Sequence, residues 1–308
     1  MKSHPMIVDA PQAFRNAIAG GRFPVAHPTA ARAAFLVSPL GFRLAEESAT
    51  DNQYMDLKAQ TSEERALVEH AHLARELAGT LPVLTLPGDA ATPDAVFPNN
   101  VFATTKDKLI LGAMRHEVRR REARRQDIHA LFTGLFAKQL ATLPESCVAE
   151  LTGPLIVDRG RNIGFCGLTE RCDRRGAEAM HAAFGLELTF VFELDPAEYH
   201  TNVVMSVLAS RALVIHPPSF RDPEVPRAIA ALYEERVIEL TDAEKAAFAG
   251  NCIALSDCDV WMSAAAAKAL TPQHRADLGA WGFDLRCVPL PEIEKAGGSL
   301  RCCVAEIY

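Results

Sequence analysis

Two adjacent thiols, Cys302 and Cys303, lie in the terminal stretch GGSLRCCVAEIY, where a glycine-rich loop turns into a short apolar segment. A thiolate is intrinsically nucleophilic, but an ordinary thiol, with a pKa of about 8.5, is mostly protonated at neutral pH. Covalent chemistry there needs a neighbouring base or cation. His200, in EYHTNVVMSV, opens an otherwise apolar run and is one candidate. Three more segments mix polar groups with buried-type sequence. PDAVFPNNVFA carries Asp94, Asn99 and Asn100, AELTGPLIVDR carries Glu150 ahead of a glycine bend, and GLTERCD carries Arg171. Each has a plain structural explanation when taken alone: turn chemistry for an Asp after Pro, a solvated glutamate, an Arg171–Asp173 pair, a satisfied histidine. The eight cysteines form no CxxC pair or Cys/His knuckle, so no structural zinc site is expected, and free cysteines are most often small buried hydrophobes.

The elements that would position these residues recur in one order. Two short apolar segments joined by a polar turn are followed by a helix-like segment and then another extended one. AVFPNNVFATT turns at KDK into LILGAM; PLIVD turns at RGRN into IGFCGL; TNVVMSVL turns at ASR into ALVIH; CIALS turns at DCD into VWMSA. A less clear first unit runs from AAFLVSP to TSEERALVEHAHLARELAG, where Thr61 and Glu64 fit a capping box. Asp173 reads as an N-cap with Gly185 as the stop, and Thr271 reads as an N-cap with Pro272 at the first helical position. The repeat spans roughly 45–60 residues, a period that suggests units stacked about an axis. One α/β domain over residues 1–308 is expected, with residues 1–32 as an N-terminal extension.

Composition limits the function. With 49% hydrophobic and 23% charged residues and a net charge of −7, the chain reads as a globular protein, not as a binder of nucleic acid or anionic membranes. The densest basic run, RHEVRRREARR, contains two glutamates and reads as a solvated helix face. No run is long and apolar enough to span a bilayer, the N-terminal stretch lacks the apolar core of a signal peptide, and a cytoplasmic location with free thiols is expected. GxGxxG and GxxxxGK[ST] are absent, which leaves nucleotide readings without support.

Taken together, the order D-x-V-F-x-x-N, E-x-T-G, G-L-T-x-R-x-D, Y-H-T-N and a terminal G-G-S-x-R-C resembles the arginine deiminase and amidinotransferase superfamily, the penteins. The likeness is strongest to the arginine deiminase-related branch that includes citrulline-utilisation hydrolases; dimethylarginine dimethylaminohydrolases are a more distant likeness. It runs from about residue 33 to 308. It implies an α/β propeller of five ββαβ units with pseudo-fivefold symmetry. It also implies a cysteine-dependent hydrolase of the terminal C–N bond of a ureido or guanidino amino acid, with no metal or organic cofactor. On this resemblance Cys302 is the nucleophile, His200 the acid–base and Glu150 its orienting partner. Asp94 lies in the substrate region, and Arg171 and Arg119 hold the α-carboxylate. Cys303, one step along a strand, is expected to face away.

Arginine deiminases carry aspartates where this chain has Asn100 and Asn202. An asparagine offers donors as well as an acceptor, which suits a neutral ureido group, so citrulline is the expected substrate. Arginine deiminase-like, dimethylarginine dimethylaminohydrolase-like and amidinotransferase activities stay open, as does a non-enzymatic role like that of the ribosome anti-association factors. The partner expected is a small amino acid. The oligomeric state is not legible, and a homodimer is left open.

Overall fold

A computed structural model describes residues 6–21 and 23–308. Four times along the chain an antiparallel pair of strands is followed by a helix and then by a strand that returns parallel to the second. The sets are Phe102–Thr104, Lys108–Leu111 and Gln139–Thr142; Leu155–Asp158, Ile163–Leu168 and Leu188–Glu193; Met205–Leu208, Ala212–Ile215 and Val237–Glu239; and Ile253–Ala254, Asp259–Ser263 and Asp284–Val288. The fifth sheet draws on both ends of the chain. Ala305–Ile307 pairs antiparallel with Ala33–Val37, with Ala305 opposite Phe35, and Val83–Leu86 pairs parallel with the same strand. The expected hairpin–helix–strand order therefore holds in four units, and the fifth repeats the same strand pairing without a hairpin, its antiparallel pair coming from opposite ends of the chain. The first unit looked incomplete in sequence because its missing strand follows the nucleophile candidate, not the preceding loop.

The N-terminal extension is also structured. Met6–Val8 adds a fourth strand parallel to Leu188–Phe190, and the helix Pro11–Gly20 lays Phe14 over Phe190 with ring centroids 4.7 Å apart. Phe14 is buried, a change worth about 1.5–3 kcal/mol for a phenylalanine.

Local chemistry sets the element ends. Asp173 accepts the Gly176 N–H at 2.6 Å and Gly185 closes that helix at φ 67°, as the sequence indicates. Thr271 caps Pro272–Ala280 through the His274 N–H. The Thr61–Glu64 box is corrected by one residue. Ser62 is the cap of Glu63–Leu77, and its own N–H is taken by Glu292 from across the chain at 2.6 Å. The basic run is corrected too. It forms Glu117–Ala123, then Gln126–Ala130, and it buries Arg119 and Glu122 completely enough to leave them 2% and 1% exposed. The remaining arginines of that run supply the solvated face; Arg119 turns inward.

Candidate active site

One small cavity is lined by Ser48, Asn52, Asp94, Asn100, Arg119, Arg171, Tyr199, His200 and Cys302, among others. It leaves about 30 Å³ for water-sized molecules, room for a water or two but not for an amino acid. Ser48, Asn52 and Met55, all from one segment, form a cover on one side of it.

Cys302 lies in a single helical turn, Leu300–Cys303, and not on the strand expected for it; the strand begins at Ala305. Gly297, at φ 73°, makes the preceding turn, and a Cβ there would stand 2.4 Å from the Asn52 amide. Within the helical turn, Cys302 lines the cavity while the Cys303 sulfur lies 3.5 Å from the Ser299 carbonyl, fully buried. The two thiols do point apart, by the twist of a helix and not by the alternation of a strand. Burial raises the Cys302 thiol above its ordinary pKa, opposed by hydrogen bonds from the Ser299 region and Asn251 and by the charges of Arg301 and Arg119. Burial and the neighbouring Cys302 push Cys303 well above the ordinary range.

His200 caps the short helix Thr201–Val204, which corrects the reading of that stretch as a strand mouth; the strand starts at Met205. Its Nε2 lies 2.9 Å from Glu150 Oε2. Burial lowers the His200 pKa, and Glu150 opposes this. A carboxylate can only accept, so Nε2 carries the proton and Nδ1 keeps the lone pair, the tautomer a general base needs. Burial alone would raise Glu150; the charge of Arg171, then His200 and Arg119, override it and hold the carboxylate well below its usual range. Gly153, in the E-x-T-G stretch, lies under the imidazole, and a Cβ there would stand 2.6 Å from the ring. Gly153→Ala is therefore expected to displace His200 and cut kcat by roughly 100-fold, the cost of a misplacement near 1 Å, with a much smaller fall in melting temperature. Steady-state kinetics beside a thermal melt decide it; unchanged kcat would show that the ring does not need this position.

The polar residues singled out from the sequence are distributed unevenly about this pair. Asn100 accepts from Arg119 Nη2 at 2.5 Å and donates to Glu150 at 3.0 Å, bridging a cation and an anion of the site. Asn202 does not line the cavity; its Nδ2 donates to the Thr152 carbonyl at 3.1 Å and its Oδ1 lies 4.0 Å from the Cys302 sulfur. Arg119 donates to the carbonyls of Asp94 and Phe97. Arg171 donates to Asp51 through Nε at 2.9 Å, to the Ser48 carbonyl at 2.7 Å and to Glu150 at 3.4 Å. Asp51 thus occupies Arg171 as a ligand carboxylate would. Asp94 Oδ2 accepts from Ser48 at 2.5 Å, while its Oδ1 is buried without a partner. Burial raises the Asp94 pKa against the pull of Arg119.

Sequence reasoning missed Asp51, Ser48, Tyr199 and Asn251. Tyr199 donates to the Gly297 carbonyl at 2.5 Å and so ties the His200 segment to the loop before Cys302. Its place beside His200 in EYHTN was the available signal. Ser48 sits in the short helix Glu46–Ala49 and Asp51 in the turn after it, within a polar stretch, ESATDNQYMD, that carries no spacing cue. Among the described residues, no group of His, Cys, Asp and Glu could hold a metal ion, and no helix is long and apolar enough to cross a membrane.

The chain is similar to known proteins in sequence and in fold. The family model for eukaryotic N,N dimethylarginine dimethylhydrolase matches residues 38–308. The N(G),N(G)-dimethylarginine dimethylaminohydrolase of Mycobacterium tuberculosis is 26% identical over 259 residues, covering 83% of this chain and 80% of that protein. The bifunctional arginine dihydrolase/ornithine cyclodeaminase ArgZ of Synechocystis is 23% identical over 252 residues, 80% of this chain but 34% of ArgZ. Among solved structures, the substrate-bound N-terminal domain of ArgZ superposes with a TM-score of 0.77 at 20% identity, covering 89% of this chain and 97% of that one. A dimethylarginine dimethylaminohydrolase adduct with S-methyl-L-thiocitrulline gives 0.71 at 20% identity, with 90% and 99% covered. At that identity the two structures speak for the α/β fold shared with pentein superfamily members, and the match to the family model extends over most of the chain. The chain belongs to the N,N-dimethylarginine dimethylhydrolase family and is a hydrolase of non-peptide C–N bonds within the pentein superfamily.

Proposed function

We propose that the chain hydrolyses the guanidino group of arginine or an N-methylated arginine through a covalent intermediate on Cys302. The observation that carries this reading is that a thiol, a histidine held by an ionised glutamate, and a carboxylate oxygen without a partner border one cavity. The unpartnered Asp94 Oδ1 is costly as it stands and suits the N–H groups of a cationic ligand. The mycobacterial relative is named for dimethylarginine and the Synechocystis relative for arginine, which supports a guanidino amino acid. Arg171 takes the α-carboxylate once the cover opens and Asp51 releases it.

His200 Nδ1 removes the thiol proton, and the sulfur attacks the guanidino carbon. The protonated imidazole then returns that proton to the departing amine, leaving a thiouronium on Cys302. His200 next takes a proton from water, whose oxygen adds to the same carbon. The C–S bond breaks, and the ureido product and the thiol are released. We read the five sheets as blades closed around this site. In support, the Ala305–Ile307 strand is tied to its neighbour by Thr104 Oγ1, which donates to the Glu306 carbonyl at 2.9 Å.

The two asparagines no longer single out citrulline as the first substrate, because the Asn100 oxygen is taken by Arg119 and the Asn202 amide donates to the Thr152 carbonyl. One contact favours citrulline as a second substrate. Asn100 uses one N–H on Glu150, and the other is free for a ureido oxygen. A retained ureido product would then be attacked again, releasing ammonia, carbon dioxide and ornithine. A panel of arginine, methylated and acylated arginines, citrulline and agmatine, with ammonia, methylamines, citrulline and ornithine measured, separates these readings. Arginine or a methylarginine is expected to exceed citrulline at least tenfold, and agmatine, lacking the carboxylate, to be poor. Citrulline outrunning every guanidine would overturn the proposal. Transfer to an added amine would place the chain with the amidinotransferases.

A further inference from the structure

Asn251 sits in the turn before the strand Ile253–Ala254, about fifty residues from both His200 and Cys302, and has no exposed surface. Its Nδ2 lies 2.9 Å from the Asn202 main-chain oxygen and 3.3 Å from the Cys302 sulfur. A main-chain carbonyl only accepts, so this contact fixes which end of the amide faces it, and the second N–H is shared between the sulfur and the more distant Asn202 Oδ1 at 3.5 Å. The amide oxygen is buried with no partner. A side chain present only for stability would not leave such an acceptor unsatisfied, since the omission costs about 1–3 kcal/mol. The turn is held from two sides. Ser206 Oγ lies 2.8 Å from the Gly250 carbonyl and 2.7 Å from that of Cys252, and the Gly250 backbone approaches Val203 so closely that a Cβ would meet its oxygen at 2.4 Å.

The sulfur needs such a donor. Its charged neighbours act at range. Arg301 is spent on the Val304 carbonyl and Glu306, and Arg119 on Asp94, Phe97 and Asn100. Among the titratable groups about it, Tyr199 and Cys303 stay neutral, His200 is neutral until it takes the Cys302 proton, and Arg171 is spent on Asp51 and Glu150, so none offers the sulfur a standing positive charge at contact distance. On the other side of the sulfur stands Asn202 Oδ1, an acceptor suited to the S–H form.

We propose that Asn251 is a catalytic residue that holds the Cys302 sulfur in place and stabilises its thiolate through an amide N–H. The inference rests on Cys302 being the nucleophile. Losing a hydrogen bond to a charged group shifts a pKa by about one unit or more. The test is the pH dependence of iodoacetamide alkylation, read by mass spectrometry on the peptide bearing Cys302 so that the exposed Cys258 and Cys287 do not contribute. In Asn251→Ala the midpoint is expected to rise by about 1 pH unit, with alkylation below both midpoints about tenfold slower, and the acid limb of kcat/KM is expected to move by the same amount. Asn251→Asp, which keeps the shape and removes the donor, is expected to raise it at least as far and serves if the alanine variant fails to fold. A folded variant whose Cys302 titrates as in the wild type overturns the proposal. Cys302→Ser assayed alongside separates the two claims: if it turns over normally, the nucleophile assignment fails, whereas a dead Cys302→Ser with an unmoved titration overturns Asn251 alone.

Discussion

Replacing Cys302 by serine is expected to lower kcat/KM by at least about 10⁴-fold, whereas Cys303→Ser should stay within about tenfold of the wild type. The guanidino carbon is resonance-stabilised and a poor electrophile, so the rate depends on a polarisable anion that a serine hydroxyl cannot supply at neutral pH. Cys302 borders the cavity that also holds His200, and its sulfur is contacted by Asn251. Cys303 turns to the Ser299 carbonyl, which would accept a serine hydroxyl there equally well. Its replacement costs packing, not chemistry. Steady-state kinetics on both variants, with melting curves to establish folding, measure the contrast. Equal losses in the two would remove the distinction between the thiols.

Glu150→Gln is expected to be nearly as damaging and to reach stability as well. The carboxylate accepts from His200, Asn100 and Arg171 and has no exposed surface. The amide keeps its shape but presents a donor to one of these partners and leaves two buried guanidinium groups short of a negative charge. Breaking a buried pair from one side costs about 3–5 kcal/mol. His200 loses the acceptor that fixes its tautomer, a change that lowers turnover by about 10³–10⁴-fold in comparable triads. Because the folded pKa of Glu150 lies below its unfolded value near 4.5, its stabilisation is complete above that pH and drains away as the pH falls below it. Urea melts between pH 3 and 7 should therefore show a gap between wild type and Glu150→Gln that narrows towards acid. A constant gap would mean that folding does not lower the Glu150 pKa.

Much of the fold was legible because each unit repeats the same order of turn, apolar run and cap. RGRN turns through Asn162 at φ 57°, and the Asp173 cap and Gly185 stop fall where expected. The ASR turn was harder to read, because Ala209 and Ser210 take positive φ without glycine. Ser210 is held there by the Gly160 N–H on its hydroxyl and Arg161 on its carbonyl, contacts made from the turn of a neighbouring sheet. The pairing of Ala305–Ile307 with Ala33–Val37 was invisible for a similar reason, since nothing local marks a strand whose partner lies at the other end of the chain. At the site, Cys302, His200, Glu150, Asp94, Asn100, Arg119 and Arg171 were legible as a set of motifs. Their roles toward one another were not. Asn100 bridges Arg119 to Glu150 and Arg171 holds Asp51, contacts that no motif announces. Such contacts depend on which donor reaches which acceptor in three dimensions, and spacing along the chain does not encode that.

The most direct measurement is the mass of the Cys302-bearing peptide from enzyme quenched in acid during turnover of arginine or a methylarginine. The account predicts an adduct on that peptide that appears within the first turnover, disappears as substrate is exhausted, forms far more slowly when His200 is replaced by glycine, and is missing in Cys302→Ser. Sustained turnover by Cys302→Ala, or an adduct that forms on any of the other seven cysteines instead, would contradict it.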